Sequence, residues 1–127
     1  MAVVLQEIKD SDFEYIVKVT TTGTNSGASV LDASAAEGAA TYPRLSLVAA
    51  SWSVSSQSDI LWDATSNVVA LSLSGNGNYN AGGQALPAIP NNAGTGISGD
   101  VLITNGSASV GTIIIKFRKV SGWDNIT

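Results

Sequence analysis

Residues 13–22, FEYIVKVTTT, alternate: Phe13, Tyr15, Val17 and Val19 point one way, Glu14, Ile16, Lys18 and Thr20 the other. A two-residue period is the mark of a strand with one face on a core. LSLVAASWSV, residues 45–54, sets Val48, Ala50, Trp52 and Val54 against Leu45, Leu47 and Ala49, so both faces start apolar and the segment reads as a central strand. DILWD and VVALSLS flank the polar connection ATSN, the pattern of a hairpin. DVLITN and TIIIKFRKV, joined by GSASVG, predict a second hairpin, with Ile113, Ile115 and Phe117 alternating with Ile114, Lys116 and Arg118.

Between these runs lie weaker signals. TGTNSGAS (22–29) reads as a turn or mobile loop, and VLDASAAEGAATYP (30–43) as mostly loop, because Gly38 and Pro43 cut short whatever its alanines favour. Residues 75–99 are rich in Gly and Asn and long for a structureless loop, which predicts that parts of them pair, around Tyr79 for example, or meet a partner. Six or seven short strands with no convincing amphipathic helix predict an all-β fold, a single antiparallel β-sandwich or jelly-roll-like domain. The expected division is an N-terminal arm or edge strand (1–12), a sandwich domain (13–120) and a C-terminal tail (121–127).

Gly94, Gly96 and Gly99 have the spacing of a dinucleotide-binding fingerprint. That motif needs its glycines between a strand and a helix, where free N–H groups meet the pyrophosphate. Here a Pro- and Asn-containing loop precedes them and a strand follows, so they read as a glycine loop and no cofactor is expected.

Composition narrows the chemistry further. A chain of 127 residues suits one domain, burying roughly two thirds of its unfolded surface. It has no cysteine and no histidine, which excludes disulfides, thiolate catalysis, the usual triads and zinc sites. Ten acidic against six basic residues give a net charge of −4, the wrong sign for a nucleic-acid partner. Lys116, Arg118 and Lys119 read as solvent-side charges that discourage edge-to-edge pairing. With 13% charged and 44% hydrophobic residues, the surface must be built from Ser, Thr, Asn and Gly, which suits an assembled or lectin-like protein. No membrane partner is expected, because no run reaches the length of a span; MAVVLQEIKD also lacks the pattern of a cleaved signal.

The acids Asp32, Glu37, Asp59, Asp63, Asp100 and Asp124 include candidates for a glycosidase pair, but Asp beside turns usually accepts backbone hydrogen bonds, and no catalytic residue is assigned. Asn76, Asn78 and Asp100 offer oxygen ligands for calcium without any calcium-loop pattern, and no metal is assigned. Asn105 and Asn125 begin Asn-x-Ser/Thr sequons, which matter only in a secreted eukaryotic protein. Among the aromatics, Tyr15 and Trp52 fit core positions. Trp62, Tyr79 and Trp123 are expected to be exposed, as a sugar platform or as interface anchors.

From Ile60 to Val120 the chain resembles small structural proteins of tailed bacteriophage particles. The resemblance rests on the strand end Trp62–Asp63, the glycine and asparagine loop, the Pro87-x-x-Pro90 step, Gly99–Asp100 opening a strand, and a last aliphatic strand ending in basic residues. Its shortness makes it most similar to capsid decoration, or cement, proteins. The resemblance implies a non-enzymatic virion protein on the capsid surface, bound to the major capsid protein and homo-oligomeric, with a trimer favoured over a dimer. On that reading MAVVLQEIKD supplies a docking arm through Val3, Val4, Leu5 and Ile8; equally, it is a terminal strand of the domain's own sheet. A carbohydrate-binding sandwich module, or a tail or neck component, is the alternative.

Overall fold

The structure is a computed structural model. It describes residues 2–11, 13–33, 36, 38–80, 87–91, 98–105 and 110–123, with backbone only at 2, 25, 40–42 and 121–123. Eight strands follow in chain order: β1 (Ala2–Asp10), β2 (Glu14–Thr22), β3 (Asn25–Leu31), β4 (Ala39–Trp62), β5 (Val68–Tyr79), β6 (Ile89–Pro90), β7 (Val101–Asn105) and β8 (Gly111–Trp123). All pairings are antiparallel, in the order β1-β2-β8-β4-β7-β3, with β5 and β6 also on β4.

β4 organises the sheet. β8 runs along its first part, from Ala39↔Trp123 to Val54↔Gly111, and β7 along its last, from Ser58↔Asn105 to Trp62↔Val101. β5 lines up with both parts, and its register with β4 shifts between Val54 and Ser58. The strand is creased there and held by short-range bonds: Ser55 N–H donates to the Val110 carbonyl (3.0 Å) and Val110 N–H to Ser55 Oγ (2.8 Å). One long strand therefore replaces the expected pair of strands separated by SSQS. The expected β7–β8 hairpin is also overturned, since the two lie end to end beside β4 and each pairs with it. A hairpin reverses direction, whereas this chain resumes its course across the crease, and sequence periodicity does not distinguish the two cases.

The sheet curls so that its two parts share one core. Trp62, at the far end of β4, meets Phe117 of β8 edge-on, with centroids 6.3 Å apart and planes at 62°. Inward-facing residues alternate as expected in β2 (Tyr15, Val17, Val19), β8 (Ile113, Ile115, Phe117) and β7 (Val101, Ile103). Phe13, expected to continue the β2 stripe, precedes the strand and is 56% exposed. In β4 the inward set is Leu45, Leu47, Ala50, Val54, Ile60 and Trp62. Leu47 pairs with Phe117 and Ala49 with Lys116, so Val48 is an extra, bulged residue. A one-residue insertion exchanges the faces, which puts Leu45 and Leu47 on the same side as Ala50 and Trp52, not opposite them as strict alternation predicts.

The loop expected at 22–29 is largely β3, whose backbone pairs with β7 through Ala28↔Ile103 and Ser29↔Leu102. Gly27, at φ +61°, lets this ladder shift, and its N–H donates to Thr104 Oγ1 at 2.9 Å. Its small polar residues carry no apolar stripe because backbone bonds hold the strand. The loop expected at 30–43 likewise yields to β4 from Ala39 onward. The ATSN hairpin forms between β4 and β5, and the paired portions of 75–99 are Gly75–Tyr79 and Ile89–Pro90.

Candidate functional site

The candidate interface residues do not form one surface. Val3, Val4, Leu5 and Ile8 lie together on β1, an edge strand bonded to β2 from Ala2↔Thr22 to Asp10↔Tyr15. Val4 and Ile8 are 62% and 50% exposed, Leu5 is 42% exposed, and Val3 packs against the core. Ile8 is the bulged residue where the register slips between Glu7 and Lys9. Tyr79 stands on β5 opposite Ala50, four strands away from β1, half-buried, with its hydroxyl donating to the Pro87 carbonyl. Trp123 closes β8, and its side chain lies outside the described residues.

Trp62 corrects the expectation of an exposed ring: it is fully buried against Phe117. Its position just before a turn resembles a sheet-end cap, but the curl carries that end of β4 into the core. The indole N–H is left without a hydrogen-bond partner, a cost that its large apolar area offsets. Trp62 therefore contributes nothing to a sugar platform. Trp52 is half-buried over Gly77, and its indole N–H donates to the Ser74 carbonyl at 3.2 Å.

β1 is fastened at its C-terminal end by two groups of charges. On the outer face Glu14 accepts from Lys9 and Lys116, each at 2.8 Å, and these cations hold its carboxyl well below the usual range, at about 2. On the inner face Lys119 Nζ donates to Asp10 Oδ1 and to the Ser11 carbonyl, both at 2.6 Å, with its side chain wholly buried. Lys119 thus overturns the reading of three solvent-side cations. It continues the inward series of Ile113, Ile115 and Phe117, so its stem lies in the core while its charge reaches the β1–β2 turn. Its backbone N–H also bonds the Phe13 carbonyl at 2.8 Å.

Two edge strands of the sheet, β1 and β3, come back toward each other. Their Cα atoms approach within 8 Å, yet no ladder joins them. An inserted strand would need about 9.6 Å between its neighbours, twice the normal spacing, so this seam does not admit one. It leaves a cleft of about 280 Å³ between Leu5 and Glu7 of β1, Tyr15 of β2, and the end of β3. Buried Tyr15, Val30 and Leu31 form its floor, and exposed Glu7 and Asp32 stand at its rim. Burial, then the charges of Glu7 and Asp10, push the Tyr15 phenol up to about 12. Glu7, Tyr15 and Asp32 were missed as a site because only the curl makes neighbours of residues 7 and 32.

Asp63 and Asp100 serve turns. Ser98 Oγ donates to Asp63 Oδ2 (2.7 Å), Asp63 N–H to the Asp100 carbonyl (3.1 Å), and Ala33 N–H to Asp100 Oδ1 (2.9 Å). Burial raises the Asp100 carboxyl above its ordinary range despite that last bond. Asp59 accepts from Ser72 Oγ at 2.7 Å and from Gln57 at 3.1 Å. Glu37 and Asp124 lie outside the described residues. Among the described residues no three acidic side chains gather where they could hold a metal ion. Asn76 and Asn78 pair with Ser53 and Ser51, while Asp100 adjoins the Trp62 end of β4, so the suggested calcium ligands do not converge. Asn105 is 1% exposed, an inaccessible position for a glycan.

Of the fingerprint glycines only Gly99 is described; its φ is +89° and a strand, not a helix, follows it. No helix among the described residues is long and apolar enough to cross a membrane. No family model, no curated protein and no solved structure matches the chain significantly.

Proposed function

We propose that this protein is a non-enzymatic structural component of a tailed-phage virion, a capsid decoration protein bound to the outer face of the major capsid protein. The observation that supports this most is β1, an edge strand pinned at its C-terminal end that keeps Val4 and Ile8 exposed. Exposed apolar side chains on a rigid edge suit docking by surface complementarity. Because β1 and β3 approach within 8 Å without pairing, docking uses the exposed side chains and not a strand inserted between them. On this reading the two parts of the curled sheet are the layers of a sandwich. The assembled form is a homo-oligomer, a trimer in preference to a dimer, and repeated weak contacts gain strength by avidity on the capsid lattice.

The test is to mix the purified protein with tailed-phage heads that lack it and to reconstruct the particle. Density at regular capsomer positions, lost with the double variant Val4→Glu/Ile8→Lys while melting is unchanged, is the expected result. Bare heads, or density only at the tail or neck, would overturn the decoration role.

A further inference from the structure

The cleft at the seam has a chemical character of its own, independent of the capsid reading. Its polar rim carries two carboxylates, Glu7 and Asp32, and among the described residues no lysine or arginine lines it. Its floor is apolar, from Val30 and Leu31, with the Tyr15 ring beside them. The volume of about 280 Å³ lies just below the roughly 300–1,000 Å³ of pockets for drug-sized ligands, so its occupant has only a few heavy atoms in place.

Three ligand classes fit poorly. An anion would meet two carboxylates at the rim. A divalent metal would find only two acidic side chains, and no three such groups converge among the described residues. A sugar would need an open aromatic face, whereas Tyr15, the aromatic residue lining the cleft, is 9% exposed. A positive charge on an alkyl stem satisfies both parts, with carboxylates at the rim for the head and aliphatic floor for the stem.

From this geometry we infer that the β1–β3 cleft binds a primary ammonium group on a short alkyl chain, as carried by a lysine side chain or a free diamine. Glu7 and Asp32 receive the ammonium, and Leu5, Val30 and Leu31 cover the methylenes. The site forms only when the sheet curls, so it reports the folded state and is absent from either strand alone.

Titrations of the full chain followed by methyl and amide NMR test this, with Nα-acetyl-lysine methylamide, cadaverine and Nα-acetyl-norleucine methylamide as probes. The lysine derivative is expected to shift Leu5, Val30 and Leu31 saturably, and Glu7→Gln and Asp32→Asn each to weaken it about ten-fold. Both changes are at exposed side chains, and unchanged melting confirms that the variants are folded. Binding of the lysine derivative without cadaverine identifies a protein side chain as the source; equal binding of both identifies the alkylammonium itself, free or attached. Equal binding of the neutral norleucine derivative, unchanged affinity in both variants, or no saturable shift with either amine would overturn the assignment.

Discussion

Asp10→Asn should be among the most damaging single-atom changes available to this chain. Lys119 is wholly buried at its side chain, and Asp10 is only 11% exposed, so their 2.6 Å contact is screened little by water. The substitution keeps size and shape but replaces the carboxylate that faces the buried ammonium with a neutral amide, beside the neutral Ser11 carbonyl. Removing one member of a buried pair costs about 3–5 kcal/mol. For a domain of this size each kcal/mol lowers Tm by roughly 3–5 °C, which predicts a fall of about 10–25 °C. Lys119→Met should cost less, because it deletes the buried charge, retains the stem's packing and leaves a carboxylate nearer to solvent. The double variant should be more stable than Asp10→Asn alone, since the buried cation is gone. Urea unfolding at neutral pH, with melting as a second probe, measures all three. A loss below about 1 kcal/mol for Asp10→Asn, or a double variant worse than both singles, would refute the view that this pair pins β1 to β8.

Gly99→Ala should destabilise by more than ~2 kcal/mol in urea titrations, because φ is +89° and an added Cβ would fall 2.1 Å from the Pro43 carbonyl oxygen. Glu14→Gln should cost up to ~1 kcal/mol at neutral pH, in keeping with a surface network. Since Glu14 is held at about 2 in the folded state against 4.5 ordinarily, its contribution is present above pH 4.5 and lost as pH falls toward 2. The stability gap between wild type and Glu14→Gln should therefore close over that interval, and a gap constant down to pH 2 would contradict it.

What the sequence made legible is the set of inward stripes. Tyr15, Val17 and Val19, and Ile113, Ile115 and Phe117, were readable because regular strands obey a two-residue period. The same rule failed at Val48, where one bulged residue exchanges the faces of Leu45 and Leu47 relative to Ala50. It failed again at Lys119, whose long stem lets a charged residue occupy an inward position. β3 escaped notice because Ala28 and Ser29 are held by backbone pairing to β7 and Gly27 by the Thr104 hydroxyl, contacts that leave no trace in side-chain hydropathy. Trp62 was misplaced for a different reason: being next to a turn says where a residue is along the chain, and only the curl decides whether that end meets solvent or Phe117. The seam cleft depends wholly on the curl, so neither Glu7 nor Asp32 carried a local signal.

The two proposed surfaces share β1 and differ in which of its side chains they use. Val4 pairs opposite Thr20 on the outer face, and Ile8 is bulged and exposed, whereas Leu5 and Glu7 line the cleft. Neighbouring residues of a strand point to opposite sides, so perturbing one set should leave the other in place. Val4→Glu/Ile8→Lys should abolish attachment to heads while the lysine derivative still binds, with affinity changed less than about two-fold. Glu7→Gln/Asp32→Asn should weaken the amine strongly and leave attachment intact. If instead the cleft variant also detaches the protein, the occupant of the cleft is a lysine of the particle surface, and the seam belongs to the docking site. If the Val4/Ile8 variant loses both activities with unchanged melting, the division of β1 into an outer docking face and an inner ligand face is wrong.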